Sequence, residues 1–486
     1  MLAVALLSGC ASPPWLGADG LTAAQTETVT PATPAPQSVA TASPQPPAAV
    51  EVTLTPLPPA PAAEYRINAR LDFEQRVVVV EQSITMDNPG AGELSELVLA
   101  VEANRLDGVF TLDGLTWADG APVDNYALDG PVLRITPGAP IGPGAAIGLK
   151  LNYTLRLQPM YSFLGWTGRQ INLGDWYPFL PAYREDQGWL IHDLSGVGEH
   201  LVYPLIDYHI VLELAPYERP LVVAASSPAQ VDGNTHTFDL PAARGFALSI
   251  SPDFRVLSTS VGDIEIRAYI FAEHESAGMA SIETVRDAVA YFSEIYAPFP
   301  HLSMTVVEAD FFDGMEFSGL FFLGADYFAA YPGSPTTYLV PLSAHETAHQ
   351  WWYSLVGNDP ALQPWLDEAF CTHSEALFYE RYHPDLVDWW WNYRVWRFLP
   401  EGKVSSSIYD QPAFRPYVDA VYLQGTKFLD AARRVMGDEA FLAFFQDYAA
   451  RYAGRLADTE SALQLLQEHS QQDLSALIAE YFEDLK

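Results

Sequence analysis

Two histidines four residues apart, His345 and His349, flank Glu346 in the run His-Glu-Thr-Ala-His. Residues i and i+4 of a helix project from one face, so a helix here lets both imidazoles grip one metal ion. Glu346 then stands beside them on nearly the same face, close to the metal but not bound to it. Composition predicts that helix from about Leu342 to Val356, with Trp351 and Trp352 at its centre. A catalytic zinc takes three protein ligands and keeps one position open. The third ligand has to arrive from a following element, and Glu368, in Trp-Leu-Asp-Glu-Ala-Phe, is the candidate. Eighteen residues separate it from His349, and the Pro360–Pro364 stretch supplies a turn from which an antiparallel helix can return to the metal. A bare HExxH arises by accident; the added carboxylate makes the pattern specific. Glu375, seven residues after Glu368, falls on the same helical face, where it can brace the ligands. Cys371 reads as a buried apolar residue rather than a ligand.

The chain has 486 residues, 49% of them hydrophobic, enough for two domains with real cores. Acidic residues outnumber basic ones by 61 to 25, a formal charge of −36. No basic stripe exists to displace phosphate counterions, which argues against a nucleic-acid partner. The acidity is that of an exported protein kept soluble by its charge.

Residues 1–10 form a short apolar stretch ending in small residues and a cysteine, like the late part of a secretory signal. Leu7-Ser8-Gly9-Cys10 resembles the bacterial lipobox, whose cysteine is lipid-modified. Cys10 is thus expected to anchor an exported chain to the membrane at the cell surface. No Lys or Arg precedes the apolar run, which is at the short limit for a signal. Residues 11–63 are rich in Pro, Ala and Thr and are expected to form a disordered tether. No later stretch is long and apolar enough to span a bilayer.

From 64 to 256, short apolar runs alternate with turn signals such as Asn88-Pro89-Gly90 and Asp232-Gly233-Asn234. This predicts an antiparallel β-sandwich or saddle. Ile282, Val285, Val289, Phe292 and Tyr296 then recur at helical spacing. Met304–Val307 and Leu320–Leu323 read as strands. Beyond Glu368 nearly everything reads as helix, with Asp438 as a candidate N-cap. Trp389-Trp390-Trp391 reads as core or pocket wall.

Taken together, these motifs resemble the gluzincin aminopeptidases of the aminopeptidase N and leukotriene hydrolase type. The resemblance runs from about Tyr65 to the last residue, its specific part between Phe311 and Gly425. It implies an α+β fold: the β-rich domain, then a thermolysin-like mixed α/β and α-helical catalytic domain over 257–486. It also implies one Zn2+ per chain on His345, His349 and Glu368, peptide substrates, and Glu346 as general base. Tyr422-Leu423-Gln424-Gly425 looks like the family's Tyr-x-Lys-Gly, whose tyrosine stabilises the tetrahedral intermediate. Asp313-Gly314-Met315-Glu316-Phe317 is similar to the Gly-Ala-Met-Glu-Asn exopeptidase loop, so Glu316 would hold the substrate amine while Gly314 and Met315 offer backbone groups. Asp313, Phe317 and Gln424 depart from these patterns. For the family's second amine-binding residue, Gln170 is the nearest candidate. The larger members' further helical domain has no counterpart here, which reads as a two-domain form. A thermolysin-like endopeptidase and a non-catalytic peptide-binding protein are the alternatives.

Overall fold

The computed structural model describes residues 60–160 and 162–483. Cys10 and nearly all of the expected tether lie outside them. The first strand, Ala63–Asp72, forms because Tyr65, Ile67, Ala69 and Leu71 alternate with Arg66, Asn68 and Arg70, burying one face and exposing the other. It joins a seven-stranded sheet in the order Ala229–Asp232, Thr235–Ala243, Ile206–Leu214, Ala63–Asp72, Val77–Asp87, Ala146–Arg156, Phe110–Trp117. One pair departs from the expected antiparallel arrangement. Ala63–Asp72 runs parallel to Ile206–Leu214, Tyr65 beside Tyr208, which is possible because a long excursion separates the two strands in sequence. A four-stranded, a three-stranded and a two-stranded sheet complete this β-rich part. Tyr65, Leu151, Tyr153, Trp176 and Ile210 share its core.

A second, five-stranded sheet follows, in the order Arg255–Val261, Ile264–Ile270, Ser303–Ala309, Leu320–Gly324, Gly314–Phe317. Its last strand, expected only as a loop, is an antiparallel edge strand pairing Glu316 with Phe321. The helix Glu275–Ile295 starts a full two turns before Ile282 and buries Ile282, Val285, Val289 and Phe292. After it the chain is mostly helical, and Trp351, Trp352, Phe370 and Phe445 join one core.

Two local expectations fail. The HExxH helix spans Leu339–Ala348, so Trp351 and Trp352 lie beyond its end. Both indoles are buried, and Trp351 Nε1 donates to Ala297 O at 2.7 Å. The backbone there widens, Ser354 N–H reaching His349 O and Val356 N–H reaching Trp351 O. Asp438 is the first residue of its helix rather than its cap; Gly437, at φ 83°, is the cap, and Asp438 accepts from Arg433 Nε at 2.8 Å.

Candidate active site

His345 projects from the last turn of the HExxH helix, His349 from its C-cap, and Glu368 from the first turn of the helix Trp365–Tyr382, where the helix dipole favours a carboxylate. Glu368 Oε2 lies 3.1 Å from His345 Nε2 and 3.7 Å from His349 Nε2. Zinc–ligand bonds of about 2.0–2.1 Å in a tetrahedron set ligand–ligand edges near ~3.3 Å. The triad therefore fits zinc in spacing and in donor type.

The other ring nitrogens are engaged, which turns both Nε2 atoms inward. His345 Nδ1 meets Glu375 Oε1 at 3.0 Å, and His349 Nδ1 meets Trp352 O at 3.1 Å. The unwound segment after the helix is what brings the Trp352 carbonyl back to His349. Glu375 is fully buried and held from its far side: Arg394 Nε and Nη2 donate to it at 2.9 Å each, and Trp390 Nε1 at 3.1 Å. Burial pushes the Glu375 carboxyl up, but Arg394 and His345 outweigh it and hold it below the usual range. Burial likewise lowers His345, yet hydrogen bonds to Glu368 and Glu375 win and raise it to about 10. The cluster is built to hold a positive charge at this point. The bracing position of Glu375 was legible from its spacing. Arg394 was not, because nothing in a lone arginine of an aromatic-rich segment points to a buried carboxylate.

Glu346 lies across from the edge strand. A Cβ on Gly314 would fall on its carboxylate, so only glycine lets the strand approach this closely. Glu346 Oε2 is buried with no hydrogen-bond partner. Burial pushes its carboxyl up to about 8, against the pull of His345 and with the help of Glu368, Asp313 and Glu375. Glu316, two residues along the strand from Gly314, presents Oε1 without a hydrogen bond, 3.8 Å from His349 Nδ1. Among the described residues, His345, His349 and Glu368 can share one cation, and so can Glu316, Glu346 and His349, the chosen atoms in each group lying within 4.8 Å of one another.

Gln170 does not reach this cleft. Its amide donates to Ser249 Oγ at 3.0 Å and Glu308 O at 3.1 Å, and accepts from Asp310 N at 3.0 Å, which makes it a buried structural tie. The β-rich part contributes Glu199 instead. Burial raises the Glu199 and Glu316 carboxyls, and the Glu199 charge raises Glu316 further. Gly198, at φ 66°, carries the Glu199 loop against the helical part; a Cβ there would come within 2.5 Å of Ile408 and 2.8 Å of the Tyr417 hydroxyl. No local pattern in Gly-Val-Gly-Glu-His marks Glu199.

Tyr422 sits in a π-helical turn, Asp419–Leu423, of a kind that recurs at functional sites. Its ring stacks on His345 at 6.0 Å, and its hydroxyl hydrogen-bonds Glu368. Met315 and Gly314 lie on the sheet's edge strand, with Met315 packed against the Phe311–Phe322 cluster. The structure thus brings Glu316, Gly314, His345, Glu346, His349, Glu368 and Tyr422 to one cleft, while the Met315 side chain packs into that aromatic cluster.

Residues 280–481 match the Peptidase family M1 domain. Aminopeptidase N of Lactobacillus delbrueckii subsp. lactis is 23% identical over 261 residues, 48% of this chain and 30% of that protein. Aminopeptidase M1-A of Oryza sativa subsp. japonica is 25% identical over 239 residues, 44% of this chain and 26% of that protein. The matched stretch thus spans less than a third of either relative. The M1 zinc metallopeptidase of Deinococcus radiodurans has the same fold, with a TM-score of 0.62 at 17% identity, covering 87% of this chain and 94% of that one. A mutant form of that protein bound to a Tyr-Ser-Ala substrate aligns with a TM-score of 0.60 at 18% identity, covering 88% and 94%. The matched M1 domain lies over the His-His-Glu cluster, and the fold is shared with an M1 zinc metallopeptidase along nearly the whole described length.

Proposed function

We propose that the protein is a zinc aminopeptidase that removes residues from the free amino terminus of peptides. The observation that carries this reading is the open, buried Glu316 carboxylate beside Glu199, next to the cluster that can hold a metal. Burial raises both carboxyls and the Glu199 charge raises Glu316 further, so a cation beside the pair is favoured, and a substrate ammonium is that cation. His345, His349 and Glu368 would hold one Zn2+ per chain. Zinc in such a site supplies Lewis acidity and lowers the pKa of the water it holds to about 7. Glu346 takes a proton from the attacking water and returns it to the leaving amine. The Tyr422 hydroxyl donates to the carbonyl oxygen as negative charge grows there. Gly314 and Met315, on an edge strand, pair with the extended peptide backbone.

A panel of free and N-acetylated aminoacyl peptides, assayed with and without a chelator, tests the proposal. Free-amine substrates should be cleaved, acetylated ones spared, and chelation should abolish turnover while one zinc per chain is released. Ready cleavage of internal bonds in acetylated peptides would instead favour an endopeptidase. The same reading includes export and a lipid anchor at Cys10, supported by the lipobox-like Leu7–Cys10 run. Cys10→Ala should move the protein from the membrane to the soluble exported fraction. A native chain already soluble and unmodified would rule the anchor out.

A further inference from the structure

Asp313 stands where the Gly-Ala-Met-Glu-Asn pattern has its first glycine, and it has a glycine's backbone, with φ 79°. A non-glycine residue in the left-handed region is uncommon, and such strain clusters where a side chain is used. Its carbonyl accepts from Gly324 N at 2.9 Å, which pins the backbone at the start of the edge strand. The residue keeps open surface, yet burial raises its carboxyl against the pull of the Gly314 N–H and of Arg394. Tyr327 Oη, at 3.4 Å, and Gly314 N, at 3.1 Å, both donate to Oδ1. Arg394, a nearby cation, is already committed to Glu375. Gly314, whose N–H holds the Asp313 carboxylate, lies against the Glu346 carboxylate, and the Asp313 charge is felt at Glu346 and Tyr422, so Asp313 borders the reacting centre.

The order of groups along the strand gives Asp313 a direction. Glu316 lies opposite His349, and Gly314 lies against the Glu346 carboxylate. A substrate anchored by its amine at Glu316 and attacked beside Glu346 must run past Gly314 toward Asp313. Glu316 and Asp313 are three strand positions apart, about 10 Å. One extended substrate residue covers about 3.5 Å, and a long side chain on the next residue spans the remainder. We infer that Asp313 is a specificity-determining residue that selects peptides with a cationic side chain, Lys or Arg, on their second residue. The inference rests on the aminopeptidase reading above and adds to it the chemistry of the leaving side.

The test compares Leu-Lys-amide with Leu-norleucine-amide, which differ in the terminal ammonium, on the zinc-loaded enzyme. The kcat/KM ratio should favour lysine by about fivefold for an exposed ion pair and shrink as salt is raised. Asp313→Asn, which tolerates the same backbone, should bring the ratio close to one, as should Asp313→Gly. A flat ratio in the wild type, or equal loss on both substrates in the variants, overturns the assignment while leaving the aminopeptidase reading intact. If neither peptide is cleaved at its amino terminus, that reading fails first and this inference falls with it.

Discussion

At the scale of single residues the cleft separates three roles that substitutions can isolate. Glu346 stands outside the His345–His349–Glu368 set and its Oε2 has no hydrogen-bond partner, so Glu346→Gln should keep the metal and lower kcat by about 100- to 10,000-fold, the range for a lost general base. Metal content by elemental analysis, measured beside turnover, checks both halves. Full activity would remove Glu346 from its role. Tyr422→Phe should lower kcat by about 100- to 1,000-fold with little change in KM, because its hydrogen bond matters only once the carbonyl oxygen gains charge. Glu316→Ala should reduce kcat/KM for free-amine substrates by about 10- to 150-fold, the equivalent of one charge-assisted hydrogen bond.

Elements matter here for what they hold in place. The Trp365–Tyr382 helix carries both Glu368 and Glu375, while Arg394 and Trp390 come from the next helical segment and clamp Glu375 against His345. Arg394→Met would strip a buried carboxylate of its main counter-charge. It should destabilise the fold by about 3–5 kcal/mol and weaken zinc about 10- to 100-fold through a loosened His345. Thermal unfolding and a zinc competition assay read the two effects separately, and an unchanged zinc affinity would reduce Glu375 to packing. The Glu199 loop is positioned differently, by the absence of a side chain at Gly198. Gly198→Ala should push that loop off Ile408 and Tyr417 and raise KM for free-amine peptides more than it lowers kcat. Equal kinetics in the variant would show that Glu199 does not depend on this contact.

Across the whole molecule, two buried groups outside the His-His-Glu triad tie stability to pH in opposite senses. Burial pushes the Asp175 carboxyl up to about 7, even though Tyr203 donates to it at 2.6 Å. Between about pH 4 and 7 the folded state holds a proton that the unfolded chain has lost, so unfolding free energy falls as pH rises through that window. Asp175→Asn keeps an acceptor for Tyr203 and suits φ 48°. It should be more stable than the wild type at pH 8 by up to a few kcal/mol, an advantage that disappears near pH 4. His301, bonded to Ser354 Oγ at 2.8 Å, is held down to about 4 by burial. There the unfolded state takes the proton first, and stability is lost as pH falls from about 6.5 to 4. Denaturant melts of the Asp175 variant across pH 4–8 check the sign; a constant difference from the wild type would mean that Asp175 does not titrate in this range.

The local chemistry was legible from the chain alone. The i, i+4 histidines, the Glu368 spacing, the bracing position of Glu375 and the alternation of the first strand all follow from periodicities of 3.6 and 2, which residues close in sequence impose on one another. What depends on distant residues was not. The HExxH helix ends at Ala348 because Trp351 and Trp352 are drawn into a core shared with Phe370 and Phe445, and that ending returns the Trp352 carbonyl to His349. The β-rich part meets Glu316 through Glu199 rather than Gln170, since long-range packing through Gly198 carries one loop into the cleft while three hydrogen bonds fix the other side chain elsewhere. The parallel pairing of Ala63–Asp72 with Ile206–Leu214 belongs to the same class. Sequence determined which groups could do the chemistry, because local geometry sets their spacing. The tertiary structure decided which of them meet, because that choice is made by burial and contact between segments from about twenty to more than two hundred residues apart.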